Sequence, residues 1–353
     1  MKKIIVLLTT IFLYLTIFLV FQSGKSEETI GNVLYVGGNK PENYRSIQNA
    51  IDNASIDDTI FVYNGIYYEN IIVNKTVNII GENKENTIIK GNINEIYDEF
   101  LIVFYVLENN VNISGFTITN SIPENNLLNY SFFSVGILIN ANNTKIQGNI
   151  IKENTFGISL DNSFNNKIIN NILTDNFIQI RILGSSDNTI ENCEITNYNQ
   201  NIFLQTNQEI GISFDIADNN TIVNNTISNI SGIAIQFSYS CKNNTIYYNN
   251  FINNKENAND SGENNWDNGL HGNYWDQYNE TDKNNDGIGD IPYKIPNGNN
   301  QDKYPLMMPY DGTFRTKEFY VDYTSVFTML IIGMILVIIF LIPIAYLWNK
   351  KTK

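Results

Sequence analysis

The sequence predicts an all-β solenoid, a chain wound into stacked coils of short strands. Three observations carry that expectation. A six-residue pattern, Ile-x-x-Asn-x-apolar, begins at Ile146, Ile168, Ile190, Ile222 and Ile246, with Cys193 in the Asn slot of the third copy. The start-to-start spacings are 22, 22, 32 and 24 residues, too short for paired helices and suited to one β-coil each. Asn, Ile and Thr are abundant in the repeats; they are weak helix formers, and β-branched Ile packs well on a pleated surface.

From the N-terminus, residues 1–25 hold an apolar run behind Lys2 and Lys3, the pattern of a secretory signal or, since no clear cleavage site follows, of an N-terminal anchor. Residues 32–105 are expected to form an N-terminal cap and the first coils. Residues 43–54 place Ile47, Ala50, Ile51 and Ala54 on one helical face, and a helix there would cover the open end of the solenoid. Strands are expected over 59–63, 68–73 and 76–80.

Residues 106–262 contain the repeats. Apolar pairs with period-two spacing, Ile158/Leu160, Ile180/Ile182, Ile212/Phe214 and Ile233/Ile235, mark strands with one face inward. The polar turns before each repeat suit Asn in left-handed conformations. Asn149, Asn171, Asn225 and Asn249 recur one coil apart and are expected to form an internal amide ladder. Extra residues near 198–207 and 121–132 form loops, which read either as a binding face or as tolerated drift. Residues 263–310 would close the other end. Residues 323–349 are expected to form a transmembrane helix, since no charge falls within 326–348 and Lys350, Lys351 and Lys353 follow. That places the bulk of the chain outside the cell membrane.

The formal net charge is −14, which argues against nucleic acid as a partner. Two cysteines make no disulfide framework. Cys193 sits in the ladder slot and Cys241 in a turn, so no bond between them is expected.

Residues 46–83 and, more specifically, the series GNYW (Gly272–Trp275), DGIGD (Asp286–Asp290), then PY and YPL up to Met307, resemble the NosD-type or CASH-domain proteins. These are right-handed parallel β-helices of the pectin-lyase-like superfamily. The resemblance covers roughly residues 32–307. It implies a single right-handed parallel β-helix and a role in binding or processing carbohydrate. It also implies, from the member that names the family, a role in copper-site maturation. Against copper stands the composition: one His, His271, and no cluster of Met, His or Cys.

Two groups of residues are candidates for chemistry. Asp282, Asn284, Asp286 and Asp290 stand at positions 1, 3, 5 and 9 of a calcium-loop pattern, with Gly287 at position 6 and the Ile288 carbonyl at position 7. Position 12 is Tyr293 rather than Glu, so a modest structural calcium site or a metal-free turn both fit. Asp161 and Asp215 fall at equivalent places at the end of the same strand, two coils apart, with Arg181 between them, and these three are the catalytic candidates; solvated coil corners are the alternative. Phe132, Phe133, Tyr198 and Phe203 lie in or near the loops and suit either sugar stacking or packing. The sequence thus points to an exported, membrane-anchored module that binds glycan or serves structurally. A polysaccharide lyase, hydrolase or epimerase is the second reading and copper-protein maturation the third.

Overall fold

Each coil is three short strands separated by three corners. The coil at Ile146 runs Lys145–Gln147, Ile150–Lys152 and Phe156–Asp161 before the next begins at Lys167–Ile169. The computed structural model describes residues 31–92, 100–120, 133–198 and 209–312. Among them the strands assemble into three parallel sheets of ten, nine and eight strands, here the first, second and third sheets. The chain is therefore a parallel β-helix. Residues 1–310 form one unit and 311–353 another; only Asp311 and Gly312 of the latter are described.

The expected column is present. Ile146, Ile168, Ile190, Ile222 and Ile246 pair in register along the first sheet, and all are fully buried. Each contributes roughly 1.5–3 kcal/mol through burial. Facing columns come from the second sheet (Ile151, Leu173, Ile195, Ile227, Phe251) and the third (Ile158, Ile180, Ile212, Ile235).

The corners explain the asparagines. At most corners a left-handed residue precedes a buried amide, with Cys193 and Ile230 taking the amide's place after Asn192 and Asn229. Between the first and second sheets these are Gly148-Asn149, Asn170-Asn171, Asn224-Asn225 and Tyr248-Asn249; between the third and first they are Asn165-Asn166, Asp187-Asn188, Asn219-Asn220 and Asn243-Asn244. The left-handed residue turns the chain, and the amide behind it then points inward. Asn249 shows the result. Its Oδ1 accepts from Asn225 N and Nδ2 at 3.0 and 2.9 Å, while its Nδ2 donates to Asn273 Oδ1 at 2.9 Å and Ile222 O at 2.8 Å. All four hydrogen-bonding positions of the buried amide are filled.

The expected ladder is thus one of three. A second runs Asn166, Asn188, Asn220, Asn244, Asn264, built from the polar turns in front of each repeat. A third, shorter run links Asn154 to Asn176. The rung-to-rung hydrogen bonds run from each backbone N–H and Nδ2 to the Oδ1 of the next coil toward the C-terminal end, so each run needs a final acceptor. A carboxylate accepts without donating. Asp302 receives Asn273, and Asp260 receives Asn264. Beside the third run, Glu209 receives Asn197 Nδ2 at 2.5 Å and Ser231 Oγ at 2.6 Å.

The helix is Ile47–Asn53, shorter than expected. Ser46 caps it through Asn49 N, and residue 44 is held instead against the first strand, with Tyr44 N donating to Tyr35 O at 2.8 Å. Ile47, Ala50 and Ile51 are buried. Glu69 accepts the first two helical N–H groups, from Ile47 and Gln48. The strand expected over 68–73 is broken: Gly65–Tyr68 belongs to the second sheet and Ile71–Val73 to the third. The chain turns a corner at Glu69-Asn70, which the local apolar pattern conceals.

Cys193 and Cys241 are free and buried, the first between first- and second-sheet strands and the second between third- and first-sheet strands. Among the described residues no helix is long and apolar enough to cross a membrane. The expected segments 1–25 and 323–349 lie outside the described residues, as do the loops 121–132 and 199–208.

Candidate functional site

The outward side chains of the third sheet form the most varied face of the solenoid. Residues 93–99, 121–132 and 199–208, outside the described residues, each fall in sequence between a second-sheet strand and a third-sheet strand. Apolar side chains flank this face: Phe156, Ile178, Ile210 and Ile233 are in register, with Phe156 aligned to Val135, while Phe100 and Phe133 pair with each other two residues earlier on their strands. Phe100 stacks on Phe133 at 5.8 Å between centroids, and Phe133 contacts Phe156 at 5.9 Å. Phe133 remains 49% exposed.

Beside Phe156 lies the polar group that the sequence suggested. Ser159 pairs with Arg181 across neighbouring strands, and Asp161 follows two residues later on the same outward side. Arg181 Nη1 meets Asp161 Oδ1 at 3.2 Å and Ser159 Oγ at 3.3 Å, and Ser159 Oγ donates to Asp161 Oδ1 at 3.1 Å. The guanidinium carbon lies 5.4 Å from the Phe156 centroid, within cation–π range. Strand register therefore fixes a charged triangle against an aromatic ring. Asp215 is only partly gathered in. It aligns with Leu183, and Leu183 with Asp161, so it stands two strand spacings, roughly 9.6 Å, from Asp161. Arg181 pairs with Asp161, not with Asp215. Ser159 was missed from sequence, although its period-two spacing to Asp161 was the available signal. Tyr198 is exposed and its hydroxyl donates to Glu194 Oε1 at 2.8 Å; Phe132 and Phe203 lie outside the described residues.

The acidic loop folds on itself. Asp282 accepts from Asp286 N and Gly287 N, Asn284 Nδ2 donates to Asp286 Oδ2 at 2.8 Å, Asp286 accepts from Ile288 N, and Asp290 Oδ2 accepts from Thr281 and Lys283. Gly287 takes φ +84, as the sharp bend requires. Tyr293, at the twelfth position, stacks on Trp275 at 4.2 Å and offers no ligand there.

The distinctive C-terminal motifs form a lock at the end of the solenoid. Gly272 leaves room for Asp302, whose Oδ1 would lie 1.8 Å from an added Cβ. Asn273 is the last rung of the first ladder, Trp275 Nε1 donates to Asp302 Oδ2, and Tyr304 N donates to Asp302 Oδ1. Leu306 N closes onto Asn273 O, and Gly289 N onto Pro305 O, both at 2.8 Å. Burial pushes the Asp302 carboxyl up to about 7, against the pull of its N–H donors. Its partners were unreadable in sequence because they are brought together only by the last coil. His271 packs against Tyr248 at 5.2 Å, and burial lowers its imidazole from the ordinary value, opposed by Asp286.

The fold has counterparts among solved structures, all of low identity. The Dettilon tailspike protein matches over 69% of this chain and 50% of its own, at 16% identity and a TM-score of 0.48; this chain thus spans half of that protein. A pectin methylesterase from Yersinia enterocolitica matches over 79% of this chain and 99% of its own, at 15% identity and a TM-score of 0.42. A tailspike from Acinetobacter baumannii bacteriophage Fri1, a capsular polysaccharide depolymerase, matches over 65% and 48%, at 12% and 0.44. No curated protein matches the sequence. The family model described as periplasmic copper-binding protein (NosD) matches residues 51–280, from the helix to the end of the GNYW segment, and the chain belongs to that NosD family of β-helix proteins.

Proposed function

We propose that this protein is an exported, membrane-anchored β-helix that holds a glycan against the outer face of its third sheet. One observation carries the reading: the Ser159–Asp161–Arg181 triangle lies in fixed geometry against Phe156, the last of three neighbouring rings with Phe133 and Phe100. Apolar rings suit the C–H faces of sugars, and fixed polar groups suit their hydroxyls. The family's periplasmic description supports export. The anchor is assigned to residues 323–349 on hydropathy. The helix Ile47–Asn53 is assigned as the cap of the N-terminal end. The test is a glycan array probed with the full chain, followed by titration of the best ligand against Phe133→Ala and Arg181→Ala. Each substitution is expected to weaken binding at least tenfold with folding intact. Unchanged binding by both would move the site elsewhere.

A second reading, hydrolysis, is favoured by one feature. Asp161 and Asp215 project from the same column two strands apart, near the upper end of the carboxylate separation used by inverting glycosidases. Release of new reducing ends from a glycan panel, lost in both Asp161→Asn and Asp215→Asn, would establish it. The engagement of Asp161 by Arg181 favours binding over turnover.

The loop 282–290 is proposed as a modest calcium site serving stability. Copper is given no role, because the donors do not fit. The chain has one His and no cluster of Met, His or Cys; among the described residues no three of His, Cys, Asp and Glu group to hold a metal, so calcium would have to draw Asp282, Asp286 and Asp290 together. Cys193 is buried with its thiol pushed up to about 12 by desolvation, and Cys241 lies at another corner.

A further inference from the structure

The second sheet carries a cleft that none of these assignments uses. It has a volume of about 320 Å³ and lies over the strands Thr87–Lys90, Thr117–Thr119 and Ile150–Lys152. Its apolar floor includes Ile88 and Ile150, which share one outward column with Thr117 between them. The neighbouring column reads Lys90, Thr119, Lys152, so two lysines flank a threonine at two strand spacings, roughly 9.6 Å between backbones. Arms of that length can converge on one anionic group.

The rim is organised as well. Glu153 accepts from Lys152 Nζ at 3.1 Å with one oxygen and from Thr119 Oγ1 at 3.1 Å with the other. It thereby holds Lys152 beside Thr119. Among the described residues Lys90 takes part in no ion pair. Two ammonium groups facing one cleft are notable in a chain of net charge −14. Glu85 and Glu153 line the same cleft and Glu153 is already engaged by Lys152, so Lys90 is the ammonium left to draw an anionic group, over the screening length of about 8 Å. Carboxylates of Glu85 and Glu153 at the same cleft can accept hydroxyls.

We propose that this cleft binds one carboxylate-bearing sugar unit of an acidic glycan. Lys90 and Lys152 take the carboxylate, Ile88 and Ile150 lie under the ring, and Glu153 accepts a ring hydroxyl. The inference rests on the glycan reading above but concerns a different face. It makes the ligand acidic and gives the solenoid two contact surfaces.

The test is calorimetric titration of the full chain with a β-1,4-linked glucuronic acid tetramer, with its neutral counterpart cellotetraose, and with inorganic phosphate. The acid tetramer is expected to bind at least tenfold more tightly than cellotetraose, and less tightly as salt rises. Lys90→Met and Lys152→Met should each remove that preference, and Lys152→Arg should keep it. Acid binding that survives both Met variants overturns the proposal, as does phosphate binding as tightly as the tetramer. Binding of cellotetraose without an acid preference defeats this inference alone. Binding of no glycan of either kind defeats it together with the glycan reading.

Discussion

Trp275 and Asp302, far apart in sequence, meet in the interior, where the indole Nε1 donates to the carboxylate Oδ2 at 2.9 Å. The same oxygen accepts Asn273 N at 2.7 Å, so one carboxylate ends a ladder and clamps the last strand.

That position makes the lock sensitive to pH. Burial, the largest influence, raises Asp302 from 3.8 to about 7; its N–H donors pull the other way and Asp267 adds to the rise. The folded state therefore binds the proton more tightly than the unfolded chain. Its contribution is fully present below about pH 4 and is lost as pH rises through 7. Three pH units correspond to roughly 4 kcal/mol. Asp302→Asn keeps an acceptor but cannot titrate. Denaturant curves at pH 4 to 8 should show wild type losing stability relative to this variant by a few kcal/mol. A constant difference would remove Asp302 from the pH response.

Cys193 is a missing rung. Its backbone N donates to Asn225 Oδ1 at 2.8 Å, but its thiol reaches only backbone carbonyls, Glu191 O at 3.4 Å and Ile168 O at 3.5 Å. Cys193→Asn should restore the amide chain between Asn171 and Asn225. One or two recovered hydrogen bonds are worth about 1–2 kcal/mol. An increase in urea midpoint without a change in slope is expected. A decrease would mean that the corner is too tight for the amide.

Ile216 stores strain. Its φ is +50, and its side chain is 63% exposed, so little packing offsets the left-handed conformation. Asn162 and Gly184 hold the matching positions in earlier coils with φ +49 and +57. Ile216→Asn is expected to stabilise by about 1 kcal/mol. Loss of glycan binding in that variant would show that the strain serves the third-sheet face.

Calcium is expected to raise the melting temperature by binding only the folded loop, and Asp286→Ala to abolish the rise. With Tyr293 stacked on Trp275, millimolar rather than micromolar calcium should be needed. A melting temperature indifferent to calcium, with no heat of binding, would leave the loop a plain turn.

The coil body was legible because it is periodic: the Ile146 column and the Asn149 ladder both follow from one spacing. The two further ladders were less visible because their amides sit in polar turns, where Asn needs no partner to be explained. Arg181 and Asp161 could be placed near one another, and Asp215 two coils from Asp161, by spacing alone, but which acid the guanidinium engages depends on side-chain direction, which strand alignment does not fix. The lock at Asp302 and the splitting of 68–73 depend on contacts with distant coils, which no local pattern encodes.

The direction of the amide ladders has an evolutionary consequence. Each rung asks for an amide oxygen one coil ahead and a backbone carbonyl one coil behind; every coil supplies the second, and the terminal carboxylates supply the first once. A whole coil of 22 residues can be duplicated or deleted between Asn149 and Asn249 without orphaning a donor, whereas a partial coil cannot. Length is then a freely adjustable trait of this molecule, and cross-section a fixed one.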